Sequence, residues 1–201
     1  PGYRFAGWTT AEGTNGAPRL DRRVTNGGVD RVLATFEPIP AGTVATRQLV
    51  ISEINYHSPD DLEAGDWIEI LNPGATAVGL GGWTVRDGAD DHVVFLPDVT
   101  LAAGGRVVVC RNRARFQVAH PNAVDPVAEM SFGLDNGGDQ VRLMDPQGNV
   151  SMRVAYSDSA PWPVAADGGG STLQWVRTDL DPALASAWAA SVARGGTPGA
   201  P

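Results

Sequence analysis

Asp66-Trp67-Ile68-Glu69-Ile70-Leu71-Asn72-Pro73 and, after a short loop, Leu80-Gly81-Gly82-Trp83-Thr84-Val85 decide the fold of this chain. The first run alternates and stops at Pro73 and Gly74; the second carries Leu80, Trp83 and Val85 past a glycine pair. They read as two paired strands, with Ile68, Ile70 and the indole of Trp83 on one side of a sheet, facing a core. Trp67 falls on the opposite side with Glu69 and Leu71. Neither run contains an obvious nucleophile, metal ligand or phosphate cradle, so the pair is read as structural.

Working outward, 201 residues with 42% hydrophobic content hold one sizeable domain, or one with a smaller neighbour. Twenty-five glycines and fifteen prolines are scattered among short apolar runs, which is the texture of an all-β chain with many turns. No apolar run approaches the length of a membrane span, so no membrane insertion is expected. The start at Pro1, without methionine or signal peptide, reads as a processed or excised chain. A net charge of −8 and a pI near 4.7 argue against holding nucleic acid or anionic lipid by bulk charge. All fifteen basic residues are arginine, and no mechanism is drawn from that. The single Cys110, inside Arg106-Val107-Val108-Val109-Cys110, reads as a small buried hydrophobe.

The first 38 residues read as a separate small sheet: Tyr3 to Trp8 is an aromatic strand, and Val29 to Glu37 alternates. Residues 39–47, with Pro38 and Pro40 before Gly42, are the linker. A sandwich is expected over 48–178, with a tail over 179–201 packed on it or extending from it. Leu49 to Tyr56 changes parity partway, which predicts a bulge or a strand covered on both faces. Gln140 to Met144 and Val150 to Tyr156 flank Asp145-Pro146-Gln147-Gly148-Asn149, a hairpin. Val141 and Leu143 join Ile68, Ile70, Leu80, Trp83 and Val85 as the expected core. Arg113 to Val118 reads as one helical turn and Pro182 to Ala190 as a short helix. Some eight strands with regular turn signals make a β-sandwich.

Five motifs in order resemble a bacterial lamin-tail domain from about residue 48 to the end: Leu49 to Tyr56, Asp66 to Pro73, Leu80 to Trp83, Leu134-Asp135-Asn136-Gly137-Gly138-Asp139 with Val141 and Leu143, and Ala160-Pro161-Trp162-Pro163. Arg4-Phe5-Ala6-Gly7-Trp8 with Ala34-Thr35-Phe36-Glu37 resembles part of an internalin-type B repeat, a β-grasp-like module, over residues 1 to about 38. The resemblance implies an immunoglobulin-like β-sandwich, a secreted or cell-surface location, and an accessory role beside nucleases, hydrolases or kinases. It brings no catalytic residue.

Read for chemistry, Asp60, Asp61, Asp87, Asp90 and Asp91 sit in two loops whose carboxylates can converge on calcium, although the spacing is not that of a calcium loop. A solvated acidic turn is the simpler reading, and no other cofactor is expected. His57, His92 and His120 do not have zinc spacing. Ser58, His57 and Asp60 lack a nucleophile elbow. Asp167-Gly168-Gly169-Gly170-Ser171 lacks the lysine of a phosphate loop and reads as a flexible connector. Arg111, Arg113 and Arg115 form the one basic cluster, able to contact a polyanion or to pair with nearby carboxylates. Of six tryptophans, Trp67 and Trp175 have the least certain facing, and Trp67 is a candidate for stacking on a sugar. Trp162 and Trp188 are expected to pin the C-terminal segment. These features imply a non-catalytic module for attachment or protein association, with a protein or surface polysaccharide as partner ahead of nucleic acid. The alternatives are a calcium-dependent carbohydrate- or wall-binding domain, and the accessory end of a secreted enzyme.

Overall fold

Residues 3–10, 13–14, 32–38 and 48–200 are described by a computed structural model. The chain divides into two compact units, Pro1–Thr46 and Arg47–Pro201. In the first, β1 (Tyr3–Thr10) pairs antiparallel with both β2 (Gly13–Thr14) and β3 (Val32–Pro38), with a bulge between Phe5 and Gly7. The linker expected over 39–47 lies outside the described residues.

The second unit is a β-sandwich. Its strands are β4 (Val50–Asn55), β5 (Trp67–Leu71), β6 (Val78–Gly79), β7 (Thr84–Arg86), β8 (Val93–Phe95), β9 (Thr100–Leu101) and β10 (Arg106–Cys110). A helix, α1 (Arg113–Ala119), precedes β11 (Ala128–Glu129), β12 (Gln140–Met144), β13 (Val150–Ala155), β14 (Leu173–Trp175) and β15 (Trp188–Ala190). Six strands in the order β11-β10-β5-β4-β14-β15 make one sheet, and β13-β12-β7-β8 make the other. Strands β6 and β9 form a separate ribbon. Between the sheets, Ile51, Ile54, Ile68, Ile70, Val107, Val109 and Leu173 meet Val85, Val94, Val141, Leu143, Met152 and Val154 in one core. The hairpin of β12 and β13 forms, and β4 has both expected features: a register shift between Ile51 and Glu53, and burial on both faces.

The pair that opened the sequence reading is not a pair. Strand β5 bonds to β4 and β10 in the larger sheet, whereas β7 bonds to β8 and β12 in the smaller one. Ile68, Ile70 and Trp83 do share a core, but they reach it from opposite layers. Periodicity assigns a face to each strand and says nothing of which strand lies beside it, and here the loop from Asn72 carries the chain across the sandwich. Asn72, fully buried, fastens that crossing: its side-chain amide donates to the carbonyls of Thr76, Leu101 and Ala102 at 2.9, 3.1 and 3.0 Å. Gly82 turns the chain into Trp83 with φ +83, and a Cβ there would stand 3.0 Å from Pro146, so only glycine fits without strain.

Two more expectations change. No helix forms over 182–190: a single 3-10 turn, Ala185–Ala187, leads straight into β15, which pairs with β14. Edge pairing and the Trp188 indole, which donates to Pro182 O at 2.9 Å, override an alanine-rich stretch too short to sustain a helix alone. The tail therefore contributes a strand to the sheet. Residues 113–119 form a true helix, capped by the Asn112 side chain, which accepts from Arg115 N at 3.0 Å. The expected connector at Gly168 to Ser171 is fastened by backbone bonds from Gly168 to His57, Ser171 to Ala165 and Gly195 to Gly170.

Candidate functional site

The positions that alternate with the core residues point to the outer face of the six-stranded sheet. Register aligns Val108, Glu69, Glu53, Gln174 and Ala189 in one row across β10, β5, β4, β14 and β15. This face is covered. At one end α1 lies over Trp67, Val108 and Cys110, with Phe116 against the Trp67 indole at 5.9 Å. Farther along, the last residues of the tail lie over Glu53 and Glu69.

Glu53 and Glu69 are direct cross-strand neighbours and each is 2% exposed. Like charges in that position repel, so donors must compensate. Glu69 accepts from Ser52 Oγ at 2.6 Å, Arg106 Nε at 3.1 Å and Gly199 N at 2.7 Å. Glu53 accepts from the Thr172 hydroxyl, from Gln174 Nε2 at 3.2 Å and from Thr197 N at 3.1 Å. Burial pushes both carboxyls above their ordinary value of 4.5 against the pull of these donors, and Glu69 adds to the rise at Glu53.

Beside the two carboxylates runs an open groove of about 540 Å³, walled by Leu71, Arg106, Trp175, Val176, Val192 and Ala193. Val176 is 53% exposed and Val192 fully so, and both lie close to β15, the edge strand of the sheet. The groove thus combines an apolar wall with a polar floor whose groups are already paired, an arrangement suited to binding.

The residues singled out in the sequence fall elsewhere. Asp60 and Asp61 lie on an exposed 3-10 turn, where Asp61 pairs with Arg194. Asp87 is buried, and accepts from Ala89 N at 2.8 Å and bonds His92 Nδ1 at 2.6 Å. Asp90 pairs with Arg142 at 3.0 Å, and Asp91 is exposed. Among the described residues no group of three or more His, Cys, Asp or Glu is placed to hold a metal ion, so the calcium expectation finds no constellation: Asp61 and Asp90 engage guanidinium groups, and Asp87 a backbone amide and an imidazole.

Each arginine of the basic cluster has an acidic partner: Arg111 with Asp66 at 3.6 Å, Arg113 with Glu129 at 3.9 Å, and Arg115 with Glu63. Trp67 is fully buried, which removes it as a sugar platform. Its face is the one read from the sequence; the helix that covers that face is what periodicity could not supply. Cys110 is buried and its thiol is pushed up to about 11 by burial. His57 bonds Asp167 at 2.6 Å while Ser58 accepts from Asn55, so no serine-histidine-aspartate relay is assembled. Trp162 and Trp188 lie 6.3 Å apart in the main core and fasten the C-terminal segment.

Sequence reasoning missed Glu53, Glu69, Gln174 and Thr197 as a cluster. A charged residue at an outward position in each of two neighbouring strands was the available signal, and it reads as an ordinary solvated face until the tail is placed.

A family model described as Lamin Tail Domain matches residues 43–158. No curated protein matches the chain. Among solved structures, the chain is similar to a DUF4876 family protein from Bacteroides thetaiotaomicron, with 11% identity, 77% of this chain and 72% of that chain covered, and a TM-score of 0.47. The matched segment ends before β14, so part of the groove and the whole tail lie beyond it.

Proposed function

Because the chain belongs to the lamin tail domain family, a family of non-catalytic immunoglobulin-like domains, we propose that it is the attachment module of a secreted or cell-surface protein, associating with another protein through the open groove beside the edge of its six-stranded sheet. One observation carries this reading: Val176 and Val192 stand exposed on the wall of the groove, near an edge strand whose outer side is unpaired among the described residues. Exposed apolar side chains grouped at a sheet edge are what an association surface needs. The dyads that look catalytic in isolation, His57 with Asp167 and His92 with Asp87, have no nucleophile among their bonded partners.

The test is binding of the fluorescently labelled chain to intact cells of its source organism, compared with the double variant Val176→Asp, Val192→Asp. Saturable binding that the double variant loses is expected. Undiminished binding by the variant removes the proposed surface. Turnover of an ester, phosphodiester or peptide by the purified chain, abolished by one substitution, removes the non-catalytic reading.

A further inference from the structure

Thr197, Gln174 and Glu53 close a triangle of hydrogen bonds. Gln174 Nε2 donates to Thr197 Oγ1 at 2.9 Å and to Glu53 Oε1 at 3.2 Å, and Thr197 Oγ1 donates to Glu53 Oε2 at 3.4 Å. The three groups come from separate parts of the chain: β4, β14 and the tail. Several contacts fix the meeting point. The Thr172 hydroxyl holds Glu53 Oε1, the Thr197 amide donates to both carboxylate oxygens, and Gly196 adopts φ +84 where a Cβ would strike Glu53. A hydroxyl, a primary carboxamide and a carboxyl group able to serve both are thus held together without any other reactant.

We infer that this triangle is a self-modifying site, at which Thr197 Oγ1 attacks the side-chain carbonyl carbon of Gln174 to form an intramolecular ester and expel ammonia. A threonine hydroxyl is a weak nucleophile and needs a base; an amide nitrogen is a poor leaving group and needs an acid. Glu53 touches both with its two oxygens. The Thr197 hydroxyl proton passes to Glu53 Oε2 as the Oγ1–Cδ bond forms. Glu53 then returns that same proton to Nε2, the Cδ–Nε2 bond breaks, and ammonia leaves through the open groove. Alcohol plus carboxamide gives ester plus ammonia, and no oxidant, metal or cofactor enters the balance. Burial holds the Glu53 carboxyl above its ordinary range, closer to the pH at which one group can both take and give a proton. Fixing both reactants in one fold replaces an encounter between molecules, which is worth a large effective concentration.

The cross-link turns a hydrogen-bonded strap into a covalent loop from β14 to the tail. It rests on the triangle alone and is independent of the binding role proposed above.

Mass spectrometry of the intact purified chain tests it. The expected mass is lower than the sequence mass by about 17 Da, the ammonia expelled. Trypsin, cutting after Arg153, Arg177 and Arg194, should leave the 154–177 peptide joined to the peptide that begins at Gly195, and mild alkali or hydroxylamine should separate them. Thr197→Ala and Glu53→Gln should each restore the full mass, and Thr197→Ser should keep the loss. The full sequence mass after prolonged incubation at neutral pH overturns the proposal. So does a mass loss with the two peptides unlinked, which marks succinimide formation at an asparagine. Should Glu53→Gln fail to fold, the Thr197→Ala and Thr197→Ser pair decides the question unaided.

Discussion

Glu53 and Glu69 stand opposite each other on adjacent strands, both 2% exposed, and each takes a backbone N–H from the C-terminal tail: Thr197 to Glu53 and Gly199 to Glu69. A repulsive pair in the sheet is thereby made into a receptor for residues 197–199 of the same chain.

The first prediction concerns pH. Glu53, Glu69 and Asp66 all have carboxyls raised by burial, so the folded state binds protons more readily than the unfolded one. The stability they contribute is fully present below the unfolded values, 4.5 for the glutamates and 3.8 for Asp66, and is lost as pH rises through the folded values. Thermal melts of the chain across this range should decline toward neutrality from these groups, and the decline should be shallower in Glu53→Gln. An identical pH profile in that variant refutes the assignment.

Gly196→Ala should loosen the tail. Its φ of +84 is unfavourable for a side chain, and the added Cβ would collide with Glu53 Oε1 unless the tail shifts. A loss of about 1–3 kcal/mol is expected. Urea denaturation measures it, and amide hydrogen exchange should quicken at Thr197 and Gly199 while β12 stays protected.

Trp83→Ala and Trp67→Ala should each cost about 3–5 kcal/mol by chemical denaturation, since both indoles are deeply buried. Their local consequences differ. Trp83 fills the main core between the sheets, whereas removal of Trp67 takes away the contact that seats α1, so helix amides should lose exchange protection only in the second variant.

Cys110 should resist thiol reagents in the native protein. With its thiol pushed up to about 11 and no exposed surface, its labelling should follow unfolding. A native labelling rate that matches that of a free thiol contradicts this burial.

Arg113→Ala and Arg115→Ala should each change stability by less than about 1 kcal/mol, because their ion pairs are solvent-exposed. With Glu129 and Glu63 beside them, retention on immobilised heparin at low salt should be the same for both variants and the parent chain. A clear loss of retention revives the polyanion reading.

Much of the architecture could be read from alternation. Ile68 and Ile70 against Trp67 and Glu69 gave the two faces of β5 correctly, and Val141 with Leu143 did the same for β12. Strand adjacency is not legible in this way, because alternation is a property of one strand and pairing is a property of two, and β5 and β7 lie in different sheets. The outer face failed for a related reason. Glu53 and Glu69 look solvated as long as only the sheet is considered, and the residues that cover them lie 144 and 130 positions farther along, in a Gly-Pro-rich stretch with no periodicity to mark its seat. Trp188 sits in a strand and not in the helix its neighbours' propensity predicts, because pairing with Trp175 at the sheet edge outweighs local propensity.

The tail amides that donate to Glu53 and Glu69 come from positions 144 and 130 residues farther along the chain. For a polypeptide emerging from the ribosome, β4 and β5 appear early, yet their outward carboxylates have no tail amide to receive until the final turn has been made. Completion of this domain therefore waits for the emergence of Thr197 and Gly199. A chain stopped just after β15 would hold every strand of the sandwich and still lack the amides of Thr197 and Gly199, leaving the glutamate pair short of donors and the face open to whatever else can supply them.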